Sequence, residues 1–466
     1  MKKYLLLIIL SLAVFTSVSA QNIRTSYFMQ GATMRTELNP ALAPTRGYLN
    51  LPIISGNYID ITTGSLSVSD FLYPSNGELV TFLDPSVSSE DFLSGLSKMN
   101  SVGMDYKTNI LGFGWYTKKR SFWSFDMSLR TSISMTVPKD LFSFVKLGSG
   151  SYDMSNLGVN IDVFQQTSLG YSRMIGDKIR VGANFKLLAG LASANINFDK
   201  LELNLTEDKW SLDAEGSVNI AAKGLEMGYT DEGFMDLTDL NFDMNSIGVA
   251  GWGGAIDLGA SYNVLKTLTV SASIVDLGYI KYASGNSISG KSSGSFEYTG
   301  FDLEGDFDID EAMSLDDLEK LMDFEREEGK EYIKYLNPTL NVGAEWTMFK
   351  NLLSFGFLGS ATFYDSYATS EYSLSAGINP TKWFSLYGTY TITDSADHTV
   401  GAALNIHSCW INIYLGTDYV IRDVTTQYVP ISQSNFNLYF GLGFALGKDP
   451  ALKKPKKVKK KDRLEE

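Results

Sequence analysis

One cysteine stands in 466 residues, Cys409, so no disulfide within the chain staples this fold. Histidine is almost as scarce: His398 and His407 are the only two. They lie nine positions apart in one strand-like run, which gives them opposite parity and opposite faces. Asp397 and His398 are sequence neighbours, and on a strand neighbours point apart. A Ser-His-Asp hydrolase needs a histidine held by a carboxylate beside a nucleophile, so an enzyme is not expected. Long apolar runs are missing as well. After residue 20 nothing approaches the roughly 18 consecutive apolar residues that a membrane-crossing helix requires. Net positive charge is absent from the body of the chain. The whole chain carries −14; the two lysines before residue 20 contribute +2, and residues 448–466 contribute +5 from eight Lys and one Arg against four acids. Residues 21–447 therefore carry −21, and an acidic body excludes nucleic acid as a partner.

What is present points to export and to strands. Lys2 and Lys3 precede the apolar stretch Tyr4–Val14, and Val18 and Ala20 put small residues at the −3 and −1 positions of a cleavage site. Residues 1–20 read as a secretory signal peptide, cleaved near Ala20-Gln21 after Sec export. Aromatics make up 13% of the chain and glycines number 42, a composition that favours strands and tight turns.

Phe122–Thr136 sorts Trp123, Phe125, Met127, Leu129, Ile133 and Met135 onto one parity. Phe122, Ser124, Asp126, Ser128, Arg130, Ser132 and Ser134 fall on the other. Period-two sorting assigns each set to one face of a strand. The 15-residue run is longer than the globular norm of about 5–6. Residues 178–189, 435–446 and the hairpin NSIGVAGWGGAIDLGASYNVLKTLTVSASIVDLGYI (245–280) repeat the pattern. Short turns (117–120, 176–178, 263–266, 349–351, 379–382, 407–408) alternate with longer connections rich in Asp, Ser and Gly. Trp115, Trp123, Trp346, Trp383, Phe384 and Trp410 cluster near the short turns, as interfacial girdles do. The expected fold is all-β: a transmembrane antiparallel β-barrel of about 14 strands over 47–447 in the outer membrane of a Gram-negative bacterium, with outer-membrane lipids as partners. A polar region around 67–104 and an acidic excursion at 292–335 are expected outside the wall.

The run SYFMQGATMRTELNPALAPTRGYLNLP (26–52) contains Asn39-Pro40-Ala41. It resembles the opening of FadL-type outer-membrane barrels. With the hairpin above and the closing YLGTDYVI and SNFNLYFGLGFALG segments, the chain is similar throughout its mature length to an uncharacterised family of FadL- and PorV-like barrels. The resemblance implies a 14-stranded barrel with a plugged lumen. It also implies relatives that pass hydrophobic molecules or, like PorV, serve surface-protein secretion. No transporter ligand residues carry over, because no local motif beyond Asn39-Pro40-Ala41 aligns.

Residues 21–46 lack a two-residue period and are expected to fold into the lumen as a hatch. Tyr27, Phe28, Met29 and Met34 would supply soft apolar filling, with Arg35, Asn39 and Pro40 fixing the segment. The function expected is a passive conduit or binding protein for hydrophobic small molecules. The alternative is a non-transporting scaffold or shuttle that secretes or anchors a surface protein. No cofactor is called for. Asp306, Asp308, Asp310 and Asp317 imitate part of a calcium loop, but Glu311 stands where the sharp turn wants Gly and Asp317 where it wants a bidentate Glu, so an acidic solvated loop is the stronger reading. Ser314 is placed to cap a short helix. The lysine-rich tail 448–466 reads as a disordered extension suited to anionic lipid or an acidic periplasmic protein.

Overall fold

The computed structural model describes residues 23–447, except 64–65, 67, 76–77, 118–119, 207–208, 244, 300–322, 328–329, 365–367, 394–397 and 421–434. The expected signal peptide, the Asp306–Asp317 loop with its Ser314 cap, Asp397 and the lysine-rich tail lie outside the described residues.

The wall is a closed antiparallel barrel of 14 strands. β1 comes in two pieces, Gly47–Asn50 and Asn57–Thr62; it is followed by β2 (Met99–Tyr116), β3 (Ser121–Pro138), β4 (Gly158–Ile175) and β5 (Ile179–Leu205). Next come β6 (Gly251–Asn263), β7 (Leu268–Tyr282), β8 (Thr339–Met348), β9 (Leu353–Phe363) and β10 (Ala368–Ile378). β11 (Phe384–Thr393), β12 (His398–His407), β13 (Ile411–Thr417) and β14 (Phe436–Leu446) complete the wall. Each strand pairs with the next, and both pieces of β1 pair with β2 on one side and β14 on the other. Closure leaves no free edge, the condition for strands in hydrocarbon.

Alternation decides which way each side chain points. In β5, Ile179, Val181, Phe185 and Leu187 are exposed while Arg180, Asn184 and Lys186 are buried. Phe185 and Leu374 are each 60% exposed on the outer surface. A wall of such side chains would be an aggregation hazard in water and is at rest in lipid. Trp115, Trp346, Trp383 and Trp410 are exposed at the short-turn end, and Trp123 is half-buried there.

In two places the backbone departs from the sequence pattern. In β7, Asp276 has φ +59° and the pairing to β6 slips between Ile256 and Leu258. The bulge inserts one residue and inverts the faces beyond it. Ser271 and Ser273 point inward before it, and Ile280 and Tyr282 are buried after it. In β1, Asn50 pairs with Gly443 and Asn57 with Phe440, so the six residues 51–56 stand opposite only Leu442 and Gly441. The surplus leaves the wall as a tongue, with Ile53 71% and Ile54 50% exposed. Pro52 has no N–H to give to a ladder, and Ile53 and Gly56 adopt positive φ.

The long-loop end is built, not loose. The region around 67–104 is no polar excursion: Phe82, Phe92 and Leu96 pack with Val137 and Phe142, the latter on helix α1 (Lys139–Leu147), and β2 already begins at Met99. Beyond Gly190 β5 parts from β6 and pairs with Lys209–Ala222, which pairs with Ser287–Thr299, while it keeps β4 as its other neighbour as far as Asn197. This second sheet encloses Phe198, Leu203, Leu212, Val218, Met235 and Phe324. The acidic excursion thus starts inside a strand.

Candidate functional site

The candidate site is the lumen and the N-terminal segment that fills it. Residues 23–46 form no strand; they make a short 3-10 turn (Arg24–Phe28) and one helical turn (Arg35–Leu38). Polar side chains satisfy the irregular backbone. Arg35 Nε donates to the Tyr27 carbonyl at 2.6 Å, and Asn39 Oδ1 accepts from Ala41 N–H at 2.9 Å. These bonds fold the segment on itself, as a coil shielded from water requires.

Around this segment the wall converges from nearly every side. Tyr27, Phe28, Met29 and Met34 are at most 2% exposed, and they form one apolar cluster with Leu38, Leu42 and the inward wall residues Tyr58, Leu358, Tyr387, Tyr414 and Tyr439. Phe28 lies over Gly356 of β9, where a Cβ would stand 2.3 Å from its ring; Tyr27 lies over Gly343 of β8, where the distance would be 2.6 Å. Glycine is the residue that lets each ring reach the backbone. Asn39 Nδ2 donates to Tyr27 Oη (3.2 Å) and the Ala272 carbonyl (3.3 Å), while the Leu38 carbonyl accepts from Ser273 Oγ at 2.6 Å and Asn341 Nδ2 at 3.2 Å. Pro40 is buried with its carbonyl against Gly182 of β5.

Three ion pairs tie the segment to the wall: Arg24 to Glu371 of β10, Arg35 to Glu345 of β8 at 3.0 Å, and Lys107 of β2 to Glu37. All three use inward side chains. Sequence reasoning named Arg35 and missed the other five partners, although Glu345 and Lys107 lie on the inward parity of their strands. It also missed a lumen network beside the β7 bulge, where Lys186 Nζ lies 2.6 Å from both Asp257 and Asp276 and Arg130 Nη1 donates to Asp276 at 3.0 Å. Glu345, Lys107, Lys186 and Asp257 are charges on strands that are otherwise apolar and small, which is the signal that marks them.

Arg24, Leu38, Val275, Thr339, Asn341, Leu358, Ser360, Thr362, Thr369 and Glu371 line a cavity beside the segment. A water-sized sphere can occupy about 20 Å³ of it, room for one or two waters. At this place the segment leaves the lumen little free space. His398 is exposed and bonds Tyr390, while His407 lies on the inner side near Gly31. Among the described residues no three His, Cys, Asp or Glu side chains converge as metal ligands.

Fold and lumen define the class: a closed 14-stranded barrel with an apolar exterior and a lumen occupied by its own N-terminal segment. The chain belongs to the Family of unknown function (DUF5723), which matches residues 40–418. No curated protein matches it. Among solved structures, it is similar to the Pseudomonas putida toluene transporter TodX at 9% identity, covering 92% of this chain and 95% of that one with a TM-score of 0.39. It is similar to a Pseudomonas aeruginosa FadL homologue at 10% identity (92% and 98% covered, TM-score 0.40). It is also similar to the translocator domain of the autotransporter NalP from Neisseria meningitidis at 9% identity (91% and 98% covered, TM-score 0.33). These likenesses are too distant to carry any residue-level or functional correspondence.

Proposed function

We propose that the protein is an exported outer-membrane barrel whose residues 21–46 act as a hatch, and that displacement of the hatch opens a passive route or binding site for hydrophobic small molecules. The observation that carries this reading is the composition of the surface beneath the hatch. Tyr58, Leu358, Tyr387, Tyr414 and Tyr439 face it from the wall, an aromatic lining that a greasy solute can use in place of Phe28, Met29 and Met34. A water-filled pore is lined by polar side chains, not by a cluster of rings. Ligand binding would then be burial of apolar area, with no cofactor and no covalent step. Deleting residues 21–42 behind an intact export signal should raise uptake of, or sensitivity to, hydrophobic solutes. Unchanged permeability after that deletion would sink the hatch.

One observation favours the alternative of a scaffold or shuttle for a surface or periplasmic protein. The loop end carries two hydrophobic cores of its own, more structure than the mouth of a conduit requires. Under that reading, removing residues 301–330 abolishes partner retention while permeability stays the same.

A further inference from the structure

The register of the wall places a row of polar side chains along one line of cross-strand partners: Asn437 of β14, Asp60 of β1, Asp105 of β2, Ser132 of β3, Asp162 of β4 and Ser193 of β5. Two members of this row are carboxylates directly opposite each other on paired strands, Asp60 and Asp105. Directly opposed residues have Cβ atoms about 4.5–5.5 Å apart, and like charges in that relation repel. Asp60 is 1% exposed, and neither of its carboxylate oxygens has a hydrogen-bond partner among the described residues. An ionised carboxylate taken from water and left without any partner is among the costliest groups to bury.

The neighbouring charges do not relieve it. The groups acting on Asp60 are Asp105, Arg24, Asp418 and Glu371, three acids against one guanidinium. That guanidinium is already engaged bidentately by Glu371. Asp418 is bonded by Thr25 and Asn437. On the other side Asp105 accepts from Ser132 and feels Arg130, Asp276 and Asp162. Arg130 is held by Asp276, and Lys334 lies 3.9 Å from Asp162. Arg24, Arg130 and Lys334 are thus each engaged by another carboxylate, and the Asp60–Asp105 pair keeps a surplus of negative charge.

We infer that Asp60 and Asp105 together bind a hard divalent cation inside the lumen, at the loop-side end of the N-terminal segment. Two carboxylates one strand apart can each give an oxygen to the same ion. Among the described residues no third acid converges on the pair, and Asp105 is only half-buried, which fits an ion that retains several of its waters on that side, as Mg²⁺ does. The ion would neutralise the pair beside Arg24 and Thr25, where the segment is anchored to Glu371 and Asp418.

The test uses the full-length protein in detergent, stripped with chelator and titrated with Mg²⁺, followed by calorimetry and by thermal unfolding. Saturable binding with a rise in melting temperature is expected for the wild-type barrel. Asp60→Asn and Asp105→Asn should each weaken binding at least tenfold and abolish the rise. Asp177→Asn, on an exposed turn, should leave both unchanged. Heat-modified gel migration checks that each variant is folded; both Asn variants remove a repulsion and should fold. Absence of saturable binding to the wild type, or equal binding by Asp60→Asn, overturns the inference. So does a chelated wild-type barrel that gains on acidification from pH 7 to pH 5 all the stability the Asn variants have at pH 7, because the pair would then share a proton.

Discussion

Single side chains set how tightly the lumen is filled. The Phe28 ring is bedded on Gly356 and cannot retreat, being 2% exposed. Gly356→Ala should therefore overpack the segment at a cost of about 1–3 kcal/mol. The check is faster protease cleavage within residues 23–46. Gly388→Ala, where no atom lies within 3.8 Å of the new Cβ, should be silent in the same assay. The Arg35–Glu345 pair is buried, with side-chain exposures of 8% and 11%. Removing one partner, as in Arg35→Met, strands Glu345 and should destabilise by about 3–5 kcal/mol. The double variant Arg35→Met with Glu345→Leu should recover part of that loss in urea unfolding from lipid bilayers, the remainder being the Tyr27 carbonyl that Arg35 no longer bonds. A double variant no better than the single one would show that the pair is not coupled.

At the scale of elements, strand faces were legible from parity alone, since lipid and lumen impose opposite chemistry on alternate residues. Phe122 was placed with the serines of its strand, and it is buried on the inner side. The two wall irregularities were not legible. Nothing about Asp276 in a run of alternating residues announces a positive φ, and the inversion it causes sends Ile280 and Tyr282 inward against Phe164 and Leu188. The break in β1 left a weak mark in Pro52 and Gly56, too common a pair in loops to locate a tongue in a wall. That tongue is accessible to experiment. A nitroxide on Ile53→Cys, in a Cys409→Ser background because Cys409 is exposed, should collide more with oxygen than with a water-soluble nickel chelate, as a lipid-facing site does. The reverse preference would put 51–56 in water.

For the whole molecule, the closed wall and the occupied lumen were foreshadowed by strand parity, short-turn spacing and an irregular first segment. Two of the inward charges that hold the segment come from strands hundreds of residues away: Glu371 meets Arg24 across 347 positions and Glu345 meets Arg35 across 310. No local pattern could pair them, because closure of the barrel decides which strands face one another. Under the proposed function the segment must move for solute to pass. Thr25 Oγ1 and Thr389 Oγ1 are 2.8 Å apart, close enough for a disulfide to replace that contact when both become cysteine in the Cys409→Ser background. The deciding measurement is entry of a hydrophobic fluorophore into vesicles carrying this variant beneath a lipopolysaccharide leaflet, oxidised and then reduced. The account predicts entry at the level of protein-free vesicles when oxidised and faster entry after reduction; equal entry above that level in both states would contradict it.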